Sequence, residues 1–241
     1  MNYMDEAHYE TTKSAENSWW YRGRTNAIKR AIKKFAVHKG AVLDVGAGYG
    51  AMFPFLKAYG PVTALEIFPP CIEACRVRGY TNVVRAESEL FSVPENFSLV
   101  GAFDSLEHIE DDVAFLSKLR NTMTPDGIFI ATVPAHQFLW STFDEINKHF
   151  RRHSKKSLRT LFEKSGYDVR YISYWNCLLL VPAVIMRLMG RAGGEALTPP
   201  QWINSTLSAI LYFESLSLAI APLPMGLSLM IVATPKKAAS R

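Results

Sequence analysis

Cysteine is scarce in this chain of 241 residues: Cys71, Cys75 and Cys177 are the whole complement. Three thiols build no disulfide framework, and no second Cys or His pair stands at zinc-site spacing, so reduced thiols and no metal site are expected. The N-terminus, Met1-Asn2-Tyr3-Met4-Asp5-Glu6, lacks a basic region leading into an apolar stretch, and no secretory signal is expected. A cytoplasmic location follows from both absences. Charged residues make up only 20% against 49% hydrophobic ones, which excludes global disorder and supplies the core of one large α/β domain with an elaboration. The net charge of +5 permits attraction to phosphates or an anionic membrane without demanding it. Aromatics interleaved with the basic residues are too few for a nucleic-acid surface.

What is present is organised around Ala41-Val42-Leu43-Asp44-Val45-Gly46-Ala47-Gly48-Tyr49-Gly50. The apolar run predicts a buried parallel strand, and three glycines at alternate positions let the backbone turn sharply and a ligand approach the main chain. Ala51 to Tyr59 follows at helical spacing, with Met52, Phe55 and Leu56 on one side. Val62 to Glu66 predicts a second strand closed by an acid. Glu66 stands 18 residues past Gly48, near the ~20-residue offset of an acid that accepts both hydroxyls of a ribose.

Pro69 and Pro70 open a helix that Gly79 ends. Asn82 to Ala86 predicts strand three, followed by the polar turn Glu87-Ser88-Glu89, and Phe97 to Phe103 predicts strand four. A helix is expected from Val113 to Asn121, then a turn at Thr124-Pro125-Asp126-Gly127 and strand five from Ile128 to Val133. Strands alternating with helices at these spacings predict a doubly wound, mostly parallel sheet that binds its ligand at the carboxyl ends of the strands. Asp44 to Gly50, Glu66, Glu87-Ser88 and Phe103-Asp104 all fall at that edge.

Ahead of the first strand, Tyr3, His8, Tyr9, Trp19, Trp20, Tyr21, Arg22 and Arg24 set aromatics among charges. Thr25 to Val37 has the spacing of an amphipathic helix. This region either caps the sheet edge or forms a lid over the glycine loop, where Arg22 or Arg24 would meet the carboxylate of an amino-acid-like ligand. Toward the other end, Leu158 to Phe162 predicts a helix, Tyr167 to Tyr171 strand six and Leu227 to Ala233 an antiparallel strand seven. Residues 174–226 then form an oily insertion of two apolar segments, Trp175 to Met189 and Gln201 to about Ala221. Pro182 in the first, Glu214 in the second and the need to return the chain to the sheet argue against membrane spanning. The insertion is expected to cover the substrate pocket, to pair with a second copy, or to lie against a bilayer beside the basic run Lys148, Arg151, Arg152, Lys155, Lys156 and Arg159.

With these motifs in view, residues 40–173 resemble the class I S-adenosylmethionine-dependent methyltransferases, in the group of small, standalone enzymes acting on metabolites and lipid precursors. The resemblance rests on the Asp44 to Gly50 motif, on Glu66, and on the run Gly101 to Ile109. Val133-Pro134-Ala135-His136, Leu139-Trp140-Ser141, Asp144 and His149 to His153 narrow it, as does the stretch Trp19-Trp20-Tyr21-Arg22. It implies a Rossmann-like seven-stranded sheet, mostly parallel with an antiparallel last strand, with helices on both faces and the insertion between the last two strands. It also implies a single domain: N-terminal lid helices over 1–40, a cofactor-binding core over 41–173, the insertion at 174–226 and the last strand at 227–235.

The implied cofactor is S-adenosylmethionine, leaving as S-adenosylhomocysteine. Asp44, Gly46, Ala47 and Gly48 would hold its amino-acid part with Arg22, and Glu66 its ribose. Ile67 would pack on the adenine, Glu87 or Ser88 would approach the amino edge, and Phe103 with Asp104 would lie near the sulfonium. The acceptor would be small and hydrophobic or lipid-like, with Tyr9, Trp20, Tyr21, His136, Trp140 and Arg152 on its side. Methyl transfer is an in-line displacement that depends on alignment and water exclusion, and a base is needed only for a protonated, weak nucleophile. His108 and His149 are the candidate bases. The competing readings are a nicotinamide-dependent oxidoreductase on a similar sheet, which the G-x-G-x-G spacing disfavours, and a non-catalytic membrane-associated adaptor that retains the fold.

Overall fold

In a computed structural model of the chain, residues 13, 15–35, 38–85, 96–188 and 199–237 are described. Seven strands form one sheet in the order β3-β2-β1-β4-β5-β7-β6. They are β1 (Val42–Val45), β2 (Val62–Leu65), β3 (Asn82–Val84), β4 (Phe97–Phe103), β5 (Met123–Pro134), β6 (Tyr167–Trp175) and β7 (Ser228–Pro235). The first five run parallel, and β7 is antiparallel to both β5 and β6. The helices are α1 (Trp19–Lys34), α2 (Phe53–Leu56), α3 (Pro69–Arg78), α4 (Asp112–Arg120), α5 (Thr142–Ile146), α6 (Lys155–Lys164), α7 (Leu180–Leu188) and α8 (Gln201–Ile220).

β1 and β2 are buried at every position, as expected of strands covered on both faces. Successive side chains point to opposite faces, so the strands feed two cores. Leu43, Val45, Val100 and Ala102 meet Phe115, Leu119, Leu158 and Phe162 of α4 and α6. Val42, Leu99 and Met230 instead meet Ile28 and Ile32 of α1 and Leu211 and Leu218 of α8. α1 and α8 lie side by side, and Gly23 leaves no room for a Cβ against Leu211. The Asn204 side chain accepts from the Trp19 amide at 2.6 Å.

Several expected boundaries move. α1 begins at Trp19, because the Ser18 hydroxyl caps it by accepting from the Tyr21 amide, so the aromatic stretch is helical. The expected helix over Ala51–Tyr59 contracts to Phe53–Leu56, since the chain turns back so that Gly40 can donate to the Tyr59 carbonyl before β2 begins. The expected turn at Thr124–Gly127 is a bulge inside β5: Met123 pairs with Phe97 and Ile128 with Leu99, which absorbs the extra residues. β6 runs on to Trp175 because its end pairs with Ser228, so the insertion starts at Asn176.

Glu214 fixes the second apolar helix to the sheet. Buried in α8, its carboxylate accepts from the amides of Asn176, Cys177 and Leu178 where the chain leaves β6. Losing a charged acceptor strands three amides, two of them only partly exposed. Glu214→Ala is expected to lower stability by about 3 kcal/mol in urea unfolding, with Glu214→Gln recovering part of the loss.

Candidate functional site

The carboxyl ends of β1, β2, β4 and β5 converge with those of β6 on one edge, and the backbone there is unusual. Gly46, Gly48 and Gly50 after β1 all have positive φ. So do three non-glycine residues that follow strands: Asp104 after β4 (57°), His136 after β5 (62°) and Asn176 after β6 (60°). Such conformations cost about 1–3 kcal/mol each and persist where the surroundings hold them. Around the glycine loop space is uneven. A Cβ at Gly46 would strike Ser105, and one at Gly50 would meet Arg78, whereas one at Gly48 meets nothing within 4 Å. An open hollow therefore lies over Gly48.

Beneath the loop, buried Asp44 accepts from the Tyr80 hydroxyl at 2.6 Å. Burial pushes its pKa up to about 6, opposed by the Tyr80 bond and the Arg24 charge. At the end of β2, the buried Glu66 carboxylate accepts from the amides of Gly48 (2.8 Å), Ile67 (2.7 Å) and Phe68 (2.9 Å). Burial raises its pKa, and the three amides work against that rise. A carboxylate offers about four acceptor sites. To hold both hydroxyls of a cis-diol, Glu66 would release one backbone amide.

α1 crosses this edge. Arg24, 6% exposed, donates to the Asp104 carboxylate at 2.6 Å and to the Phe103 carbonyl at 3.2 Å. Its guanidinium also lies 4.8 Å from the Tyr21 ring and 5.1 Å from the Trp20 ring. Trp20 meets Trp175 edge-on at 5.2 Å and Tyr21 meets Tyr49 at 6.0 Å. Glu16 grips Arg78 through two bonds of 2.8 and 2.6 Å. Aromatic rings thus wall the hollow from the α1 side.

The far side is a polar cluster. The loop after α5 returns to the β4 turn, with the Phe150 amide donating to the Glu107 carbonyl at 2.8 Å. This brings His149 within 4.7 Å of the His108 ring. His149 Nδ1 lies 2.9 Å from Asp144, which also accepts from Arg152 Nε at 2.8 Å. Burial opposes ionisation of Asp144, but the bonds from His149 and Arg152 outweigh it and bring its pKa down to about 2. Glu107 is 1% exposed, and burial followed by the Asp104 charge drives its pKa well up. Glu107, His108 and His149 each offer one ligand atom within 4.8 Å of the others, close enough to share a proton or a cation. The sequence showed no such set, because the loop brings His149 to the pair from some 40 residues away.

Buried polar atoms in native proteins nearly always have partners. Among the described residues, Arg24 Nε, Ser105 Oγ, Glu107 Oε2, His136 Nε2 and Asn176 Oδ1 have none. All five stand at the strand-end edge or on the helix that crosses it. An edge so provided fits a polar ligand that spans β1 to β5.

Comparison with known families decides the class: residues 20–172 match the family described as "Methyltransferase domain". The chain belongs to that methyltransferase family. A ubiquinone biosynthesis O-methyltransferase of Xanthomonas campestris is 27% identical over 135 residues, which is 48% of this chain and 56% of the relative. The matched stretch thus spans little more than half of that relative. A chain of the Haloferax volcanii complex with the Trm112 methyltransferase activator superposes with a TM-score of 0.62 at 17% identity, covering 98% of this chain and 97% of the other. An Archaeoglobus fulgidus SAM-dependent methyltransferase gives 0.57 at 20% identity over 87% of this chain and 92% of its own. The cofactor is accordingly S-adenosylmethionine, and the sheet is the Rossmann-like sheet of these enzymes.

Against that methyltransferase frame, the expected site residues divide. Gly46, Ala47 and Gly48 turn after β1 above Asp44, Glu66 binds the Gly48 and Ile67 amides, Phe103 and Asp104 are held by Arg24, and His108 meets His149 on the far side. Trp20 and Tyr21 form the wall of the hollow, and His136 stacks on Tyr174 at 4.9 Å just beyond. Trp140 is half-buried further out, its indole near Glu145 at 3.4 Å. Tyr9, Glu87 and Ser88 lie outside the described residues.

Two expectations need correction. Arg22 is exposed and lines an outer groove with Tyr212 and Phe213, because residues two apart on a helix point to opposite sides; the arginine that faces the strand ends is Arg24. Arg152 does not greet a ligand: it is buried and bound to Asp144 and the Ala135 carbonyl. Three more of the basic run are engaged within the fold, Arg151 by Asp112, Lys155 by the Leu223 carbonyl and Arg159 by Glu163, while Lys156 is exposed.

Asp44 makes the ligand-free methyltransferase pH-sensitive. A carboxyl whose folded pKa lies above its unfolded value stabilises fully below the unfolded pKa and loses that contribution as pH rises through the folded one. From 3.8 to about 6, this amounts to about 3 kcal/mol. In urea unfolding, Asp44→Asn should therefore gain about 3 kcal/mol on the native protein between about pH 4 and about pH 7. A constant difference across that range would contradict the assignment.

Proposed function

We propose that this methyltransferase moves the methyl group of S-adenosylmethionine to a hydroxyl oxygen of a small, hydrophobic or lipid-like acceptor. The observation that carries the reading is the row of unpartnered buried polar atoms along the strand-end edge, with the Asp144–His149 pair at one side of it. The relatives named as ubiquinone biosynthesis O-methyltransferases support oxygen as the acceptor atom. Bound there, S-adenosylmethionine supplies an electrophilic methyl and a good leaving group.

The chain's residues then have separate tasks. The Gly46–Gly48 backbone cradles the amino-acid part, and Arg24, rather than Arg22, turns its free Nε toward the carboxylate. Glu66 takes the ribose hydroxyls and Ile67 flanks the adenine. Phe103 and Asp104 hold the β4 end against the reacting centre. A hydroxyl nucleophile arrives protonated, which is when a base contributes. His149 removes that proton: Asp144, ionised at all working pH values, holds the ring by Nδ1 and steadies the charge it gains. His108 stands between His149 and the β4 end and orients the acceptor oxygen. Trp20 and Tyr21 flank the acceptor from the α1 side and His136, stacked on Tyr174, from the other, which aligns the displacement and keeps water out.

The test uses a radiolabelled methyl donor and a panel of catechols and phenols of increasing chain length. His149→Ala should lower kcat by about 100-fold or more, with the affinity for S-adenosylhomocysteine unchanged. Glu66→Ala should weaken that affinity about ten- to a hundredfold through lost charged hydrogen bonds. Full turnover in His149→Ala would remove the base, and unaltered affinity in Glu66→Ala would remove the ribose contact.

A further inference from the structure

α8 is an anomaly for a surface helix. It is 20 residues long, only 22% of its most apolar 18-residue window is buried, and that window has a mean hydropathy of 1.3. Its single charged residue, Glu214, faces inward. Solvent therefore meets a face without any charge, and its large side chains are apolar: Trp202 is 72% exposed, Phe213 66% and Ile220 86%. Trp202, Thr206, Ala209, Phe213, Leu216 and Ile220 succeed one another at steps of four and three, so they form one stripe along the helix. α7 adds Val181 and Ile185, both more than half exposed. Scattered exposed apolar residues are ordinary, but contiguous patches mark contact surfaces.

The neighbour of this stripe is the opposite in character. α1 has no acidic residue, and Arg22, Lys29, Lys33 and Lys34 are exposed along it. A groove of about 490 Å³ lies between the two helices, with Arg22 and Lys29 on one wall and Tyr212 and Phe213 on the other. Glu16 also lines it, but its carboxylate is already bound twice by Arg78. Cations stand beside aromatic and aliphatic side chains on one surface. That pairing matches a bilayer boundary, where phosphates lie just outside the acyl chains.

We propose that α8 and α7 lie in the plane of an anionic phospholipid bilayer, with the row of α1 cations and the α1–α8 groove receiving lipid phosphates. Spanning is incompatible with the contacts α8 makes, since Glu214 caps the exit of β6 and Leu211 and Leu218 pack beneath α1 and the sheet. Lying flat keeps all of them. A second copy of the chain is a poorer occupant, because it brings the same cations and α1 holds no acid to meet them. Docking does not depend on methyl transfer, so its failure and the failure of the proposed reaction are separable.

The test is co-sedimentation of the full chain, without cofactor, with phosphatidylcholine vesicles and with vesicles containing phosphatidylglycerol, at low and high salt. Binding is expected to the anionic vesicles and to weaken with salt. Lys29→Glu with Lys33→Glu should weaken it by about fivefold for each unit of charge lost. Phe213→Ser with Ile220→Ser should abolish it with an unchanged melting temperature, since both side chains are exposed. Equal indifference to both vesicle types at low salt would overturn the proposal. So would a wild-type dimer in sedimentation equilibrium that Phe213→Ser splits.

Discussion

The buried ion pair between Arg24 and Asp104 joins the two halves of the site. Asp104 holds a positive φ directly after β4, and Arg24 reaches it from α1, 80 residues earlier in the chain. Burial alone would weaken the charge on Arg24, and Asp104 together with Tyr21 and Tyr49 more than restores it. Asp104 is partly exposed, so the larger cost falls on removing it, which leaves the buried guanidinium charged and unpaired. Without this clasp, α1 would have no polar anchor at the strand ends. The tryptophan and tyrosine rings that wall the hollow would lose their position, and the glycine loop would open to water.

From that clasp the rest of the molecule extends in two directions. Inward, β1, β2 and β4 present Gly48, Glu66 and Phe103 to one hollow, where fixed donors and acceptors stand without partners. Outward, α1 packs on α8, and Glu214 ties α8 back to the end of β6. The helix that roofs the cofactor edge is therefore also the helix that carries the cation row and supports the uncharged stripe. A membrane contact at α8 would sit one helix away from the reacting centre, a short path for an acceptor that partitions into lipid.

Much of this was legible in the sequence. The apolar run and the glycine loop marked β1, and the acid that ends β2 marked Glu66, because these depend on residues adjacent in the chain. The mostly parallel sheet and the antiparallel β7 followed from strands alternating with helices together with the family resemblance, whereas the order of the strands came only with the structure. What was not legible depends on long-range contact or on helix phase. Arg22 and Arg24 are equally basic, and only the angle at which α1 meets β4 selects the second. Arg152 was expected on the acceptor side of the site until the loop after α5 folded it onto Asp144. The meeting of Glu107, His108 and His149 had no spacing signal at all, since a non-helical loop supplies the third member. The bulge in β5 was hidden for a simpler reason: Pro125-Asp126-Gly127 is also what a turn requires.

The central claim is that α1, through Arg24, completes the S-adenosylmethionine site at the strand ends. Calorimetric titration of S-adenosylhomocysteine into the native chain and into Arg24→Met tests it most directly. The account predicts one site per native chain, and an affinity at least about thirtyfold lower in Arg24→Met, the equivalent of about 2 kcal/mol for a buried charge partner, with the helical circular dichroism intact. Binding of equal strength to both proteins, or no heat with the native one, would contradict it.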